Sequence, residues 1–163
     1  MPPRYRVHLD QDEHVFSAAH FITFDGDVCE HLHGHNFRVA VTVEGPLDEN
    51  GYVLDFLALR DALKSITTEL DHHLLLPLHH PAIQVKIMDD HVHVAFQQRR
   101  WVFPRSECCL LPLANTTAEL LAHYMGVRLR DRLQQELGLR PPRLEVAVDE
   151  NHGQWAICEL TND

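Results

Sequence analysis

From His33 to Val43 every second residue is an imidazole or an apolar group, with His33, His35, Phe37, Val39, Val41 and Val43 sharing one parity. A period of two describes a strand with one covered face, so this stretch commits the chain to a sheet backed by a core. It also carries two imidazoles to one end of the apolar surface without a loop having to fold around them. Gly34, between the two, has no Cβ and lets the backbone approach another group. His20 shares parity with Phe16 and Ala18 on an earlier strand and is the candidate third imidazole. Three neutral imidazoles are the pattern zinc uses when a fourth position stays open for water or substrate, whereas closed structural sites recruit cysteines. With 14 histidines among 163 residues, spacing alone carries little. His91-x-His93 repeats it without support and is not expected to bind a second metal.

The rest of the chain reads as one domain over residues 1–163. Tyr5, Val7 and Leu9 alternate like a strand, and Pro46 to Gly51 is turn chemistry. Asp55 is a candidate N-cap before Phe56, Leu59, Leu63, Ile66 and Leu70, whose three- and four-residue steps form one helical stripe ending near Asp71. Thr116-x-x-Glu119 is a capping-box pattern, and Leu121, Met125, Leu129, Leu133 and Leu137 follow until Gly138 and Pro141-Pro142 stop the helix. Leu144, Val146, Val148 and Glu150 share a strand face, and Asn151 to Gly153 turns toward a last strand through Trp155 and Ile157. Ile83 to Phe96 and Arg100 to Phe103 read as an added hairpin. The predicted fold class is α+β: an antiparallel four-stranded sheet with two helices packed on one face, plus that hairpin.

Acidic side chains outnumber basic ones 24 to 14, for a formal charge of −10. That balance opposes nonspecific contact with nucleic acid or anionic membrane, and neither is expected as a partner. The first residues lack the apolar run of a signal peptide, and Cys29, Cys108, Cys109 and Cys158 form no C-x-x-C pair or regular framework. Free thiols and a cytoplasmic location are the expectation.

Three further positions carry chemistry with competing explanations. Cys29, four before His33, is a base if a nearby charge gives it thiolate character, or a small buried hydrophobe. Asp71-His72 is an acid-base pair in which the carboxylate orients the imidazole, or charge compensation at a helix end. Glu150 brings a carboxylate to the rim of a pocket, or solvates a turn beside Asp149 and Asn151.

Phe16-Ser-Ala-Ala-His20, Cys29-x-x-x-His33-Gly34-His35, Gly51-Tyr-Val-Leu-Asp55-Phe56, Leu70-Asp71-His72, Thr116-Thr117-Ala118-Glu119 and Glu150 occur in that order. The ordered set resembles the 6-pyruvoyltetrahydropterin and 6-carboxytetrahydropterin synthase family. The resemblance implies that His20, His33 and His35 bind Zn2+ and that Cys29, Asp71 and His72 move protons. It further implies that Glu150 anchors the pterin ring, with backbone groups of Thr117 beside it. It implies a tunnelling-type fold in which sheets from three subunits close a barrel and two rings stack into a homohexamer, a dimer of trimers.

The three-residue gap between Cys29 and His33 favours the carboxy-forming type, which converts 7,8-dihydroneopterin triphosphate to 6-carboxy-5,6,7,8-tetrahydropterin. The alternatives are triphosphate elimination to the pyruvoyl product, aldolase-type cleavage of dihydroneopterin, and a catalytically silent zinc-binding assembly protein. The acidic balance fits a triphosphate only if basic residues gather locally. The usual asparagine after the Asp-His motif is absent at Leu74 to Leu76.

Overall fold

A computed structural model describes residues 3–162; Met1, Pro2 and Asp163, which the single-domain expectation included, lie outside the described residues. In chain order the elements are β1 (Tyr5–His20), β2 (Thr23–Phe24), β3 (Val28–Cys29), β4 (His33–Gly45), α1 (Phe56–Leu70), β5 (His73–Pro77), β6 (Gln84–Met88), β7 (His91–Phe96), β8 (Arg99–Pro104), β9 (Cys108–Leu111), α2 (Ala118–Leu137), β10 (Arg143–Asp149) and β11 (Trp155–Thr161). The main sheet runs β11-β10-β4-β1-β5-β9, with a two-stranded β2-β3 pair and a three-stranded β6-β7-β8 sheet beside it.

The alternation at His33 to Val43 does what its period requires. β4 pairs antiparallel with β1 so that His33 faces His20, His35 faces Ala18 and Phe37 faces Phe16. Paired residues share a face, so the three imidazoles lie on the same side of the sheet as the stacked Phe16 and Phe37 rings, 5.0 Å apart. Gly34 sits opposite Ala19, and a Cβ there would meet the Ala18 carbonyl oxygen at 3.2 Å, tighter than a side chain normally tolerates.

The covered face is backed by both helices. Asp55 caps α1 by accepting the Leu57 N–H, and Leu59, Leu63, Ile66 and Leu70 are fully buried. On α2, Leu121, Met125, Leu129 and Leu133 are buried in the same core, and Gly138 closes the helix at φ 65°. Each such side chain contributes about 1.5–3 kcal/mol by leaving water. The cap of α2 is Thr117, whose hydroxyl accepts the Leu120 N–H, one residue later than the capping-box pattern placed it.

The expected four-stranded antiparallel sheet is corrected to six strands of mixed direction. Leu74, Leu75 and Leu76 are all buried, and β5 runs parallel to both β1 and β9. A strand covered on both faces shows a continuous apolar run without alternation, as parallel pairing inside a sheet requires. The added hairpin is a three-stranded antiparallel sheet, β6-β7-β8, whose Val92, Val94 and Phe96 pack with Phe21, Leu74 and Leu76 in a second core. β11 and β9 are open edges of the main sheet, and Trp155 and Ile157 on β11 are exposed. Among the described residues no helix is long and apolar enough to cross a membrane.

Candidate metal centre

At the end of the β1–β4 ladder, ligand atoms of His20, His33, His35 and Glu150 all lie within 4.8 Å of one another. The imidazoles are already turned for coordination. His20 donates Nδ1–H to the Thr116 carbonyl at 2.9 Å, and His33 donates Nδ1–H to the His31 carbonyl at 2.8 Å. A ring that gives up its proton at Nδ1 presents an Nε2 lone pair, and such backbone partners are how metal-binding histidines are oriented. Burial is the largest influence on His20 and holds its pKa below the ordinary histidine value, which favours the neutral ring a ligand needs.

His20 Nε2 is wholly buried and has no hydrogen-bond partner, although a Glu150 oxygen lies 3.2 Å away. The same oxygen lies 3.3 Å from His35 Nε2. A lone pair facing a carboxylate at that distance is repulsive unless a cation stands between them. Zinc bonds of about 2.0–2.1 Å in tetrahedral geometry put ligand atoms roughly 3.3 Å apart, so these separations and this donor set fit the ion. The sequence offered Glu150 a pocket rim or a solvated turn; the fold sets its carboxylate among the imidazoles. It follows β10 directly, on a turn fixed by Asp149, which accepts the N–H groups of Asn151, Gly153 and Gln154. His91 and His93 lie on the separate sheet, outside this cluster.

Cys29 ends β3, half-buried against the second core, with its thiol toward the Glu30 carbonyl at 3.5 Å. Burial pushes the Cys29 thiol up, and the nearby Arg99 charge pulls it partly back. Glu30 was not singled out by the sequence. Its carboxylate accepts the Ile22 N–H at 3.1 Å and approaches His33 Nε2 at 3.8 Å, placing a second titratable group beside the metal set. Its spacing of three from His33 was the available signal, masked by the adjacent cysteine.

Asp71 and His72 form a fixed pair. One Asp71 oxygen accepts the Ser17 N–H at 2.8 Å and the other meets His72 Nδ1 at 2.9 Å. Burial raises the Asp71 pKa, but the Ser17 and His72 contacts outweigh it and the net shift is downward, so the carboxylate stays charged. His72 adopts φ 57°, a conformation costing roughly 1–2 kcal/mol outside glycine, and its ring is 81% exposed. It lines a cavity of about 590 Å³ with Ser17, Gly34 and Asn36, and also with Ala18 and His35, which share the imidazoles' parity. The cavity therefore has both the dyad's His72 and the cluster's His35 in its wall. Among the described residues, no lysine or arginine lines this cavity. His73 turns back to the Asp71 carbonyl, and the hydroxyl of Thr117 is occupied by the helix cap.

Residues 11–161 match the family model described as 6-pyruvoyl tetrahydropterin synthase. The chain is 34% identical over 143 residues to a putative 6-carboxy-5,6,7,8-tetrahydropterin synthase of Methanocaldococcus jannaschii, with 86% of each chain covered. It is 43% identical over 60 residues to the dihydroneopterin monophosphate aldolase of Pyrococcus furiosus, covering 37% of this chain and half of that one. Among solved structures, Plasmodium vivax 6-pyruvoyltetrahydropterin synthase superposes with a TM-score of 0.90 at 26% identity, over 98% of this chain and 99% of that one. A form of that enzyme with a catalytic glutamate changed to alanine superposes equally well.

Proposed function

This chain belongs to the 6-pyruvoyl tetrahydropterin synthase family, and from that premise we propose that it converts 7,8-dihydroneopterin triphosphate, with one water, to 6-carboxy-5,6,7,8-tetrahydropterin, acetaldehyde and triphosphate. The observation that carries the reading is the convergence of three imidazoles, two of them oriented by backbone carbonyls, and a carboxylate, with the Glu30 carboxylate 3.8 Å from His33. Relatives in Methanocaldococcus jannaschii, Pyrococcus horikoshii and Pyrococcus abyssi are named putative 6-carboxy-5,6,7,8-tetrahydropterin synthases, and one in Bacillus subtilis carries the name outright.

We assign His20, His33 and His35 to Zn2+. The bound ion supplies Lewis acidity, making side-chain hydroxyls and the protons beside them more acidic. Cys29 takes a proton from the pterin's side chain, and the charged Asp71 holds His72 in the tautomer that can accept or deliver one at Nε2. Access for substrate requires an open position at the cluster. Glu150 is the member that can turn away, because it rides on a turn while the imidazoles stand on paired strands. Turned outward, its carboxylate accepts hydrogen bonds from the pterin's amino and ring N–H groups, with backbone groups near Thr117 alongside.

The open β11 and β9 edges support association that closes the sheet, and a cavity lined without lysine or arginine supports a site completed by a second subunit. We propose the trimer-based homohexamer on these grounds. The phosphate-binding cations, missing from the cavity lining, would then come from a neighbouring chain.

Incubating purified protein with dihydroneopterin triphosphate and identifying products by mass tests the reaction: carboxytetrahydropterin and acetaldehyde are expected. A pyruvoylpterin or glycolaldehyde-type fragments would transfer the chain to the elimination or aldolase reading. The aldolase reading retains the short match to the Pyrococcus furiosus enzyme in its favour.

Glu150→Gln separates pterin anchoring from metal holding. Replacing one acceptor by a donor is expected to weaken pterin binding by about 2–3 kcal/mol in calorimetry, the range for a lost charge-assisted bond that leaves its partner unpaired. Zinc content should stay at the wild-type level. Loss of zinc with unchanged pterin affinity in the remaining loaded fraction would make Glu150 a ligand instead.

A further inference from the structure

The three-stranded sheet has no part in the chemistry above, yet its β7–β8 turn reaches the segment that carries Cys29. Arg99 donates from Nη1 to the Cys29 carbonyl at 2.9 Å and from Nη2 to the Glu30 carbonyl at 3.1 Å. From the same turn, Gln97 Nε2 donates to the Asp27 carbonyl at 3.3 Å. The guanidinium is itself fixed, lying 4.7 Å from the centroid of the Trp101 ring, which stacks on Phe21 at 4.9 Å. Arg99 forms no ion pair with a carboxylate among the described residues, so its fork serves the two carbonyls.

We propose that Arg99 is a positioning residue for the proton-transfer step, and that the β6-β7-β8 sheet exists at this place to hold the Asp27–Glu30 segment in register with the metal cluster. The inference rests on the assignment of Cys29 as the base. The segment needs such a hold, because β2 and β3 pair over two residues each and a ribbon that short has little stability of its own. The thiol is directed at the Glu30 carbonyl, the acceptor that Arg99 also holds, so fixing that carbonyl fixes the thiol's bearing. A lysine keeps the charge but presents a single compact donor group and cannot span two carbonyls in a rigid fork. The Arg99 charge also opposes the effect of burial on the thiol, a secondary benefit of the same contact.

The test uses zinc-loaded Arg99→Gln and Arg99→Lys proteins, followed by steady-state kinetics and amide hydrogen exchange. Both variants are expected to retain zinc and to lose roughly 10- to 100-fold in kcat, with KM within about threefold of wild type, as a displaced reacting group produces. Exchange should accelerate in residues 27–31 while the α1 and α2 amides stay protected. Wild-type turnover by Arg99→Lys would show that charge alone suffices and would overturn the positioning role. Unchanged exchange in residues 27–31 would overturn the clamp. Should Arg99→Gln fail to fold, Gln97→Ala removes only the neighbouring tether and should loosen the same segment to a smaller degree; no loosening would again overturn the clamp. Cys29→Ala run in parallel keeps the two ideas apart: full activity there would remove Cys29 as base, while the exchange result still reports on the clamp.

Discussion

His33→Ala is expected to strip the protein of stoichiometric zinc and abolish turnover. The side chain is one of three converging imidazoles, and losing it leaves His20 Nε2 buried with a lone pair and fewer partners for a cation. Damage to the supporting shell of a metal site alone costs about 10- to 100-fold in affinity, and removing a ligand outright costs more. Elemental analysis after dialysis is the measurement. Full zinc retention would move the site elsewhere. The same analysis on a variant lacking His91 and His93 should show no change, since those residues sit on a different sheet.

Cys29→Ala should behave in the opposite way, keeping zinc and fold while losing about 10²–10⁴-fold in kcat, the range for a positioned general base. Near wild-type turnover would shift the proton to another group, and Glu30, whose carboxylate lies 3.8 Å from His33, is the first to examine. A mixture then tests the assembly. His72→Ala should be equally inactive, but subunits of the two variants refolded together should regain measurable turnover if His72 acts across a subunit boundary. Mixed oligomers that form and stay inactive would place Cys29 and the dyad within one chain.

The convergence of the three imidazoles was legible because its information is local. Strand parity alone put His33 and His35 on one face, and the antiparallel partner strand obeyed the same rule, so His20 followed. Both helices were legible from their apolar steps, with α1 beginning and ending as its cap and stripe predicted. Thr116 shows how a local rule slips by one: two adjacent threonines can both cap, and Thr116 is instead buried with its carbonyl turned to His20. The parallel strands β5 and β9 were invisible for a different reason. A run such as Leu74-Leu75-Leu76 carries no alternation, and its partners lie more than thirty residues away in β9 and more than fifty in β1. Glu150 was singled out, but its approach to the imidazoles depends on a turn held by Asp149, and no spacing encodes that. Arg99 was missed because its acceptors are backbone carbonyls, which every residue offers.

If the cluster holds zinc as proposed, the bond from His20 to the Thr116 carbonyl makes its occupancy a variable in folding. Thr116 immediately precedes the residue that caps α2, so the ring that would hold the ion also fastens the start of the longer helix. Anything that binds the native chain and not the unfolded one deepens the native well in proportion to the logarithm of its free concentration. With the proposed ion in place, the melting temperature would be a property of the protein together with its buffer: a chelator in the tube, or scarcity of metal in the cell, would lower it before any bond in the chain has changed.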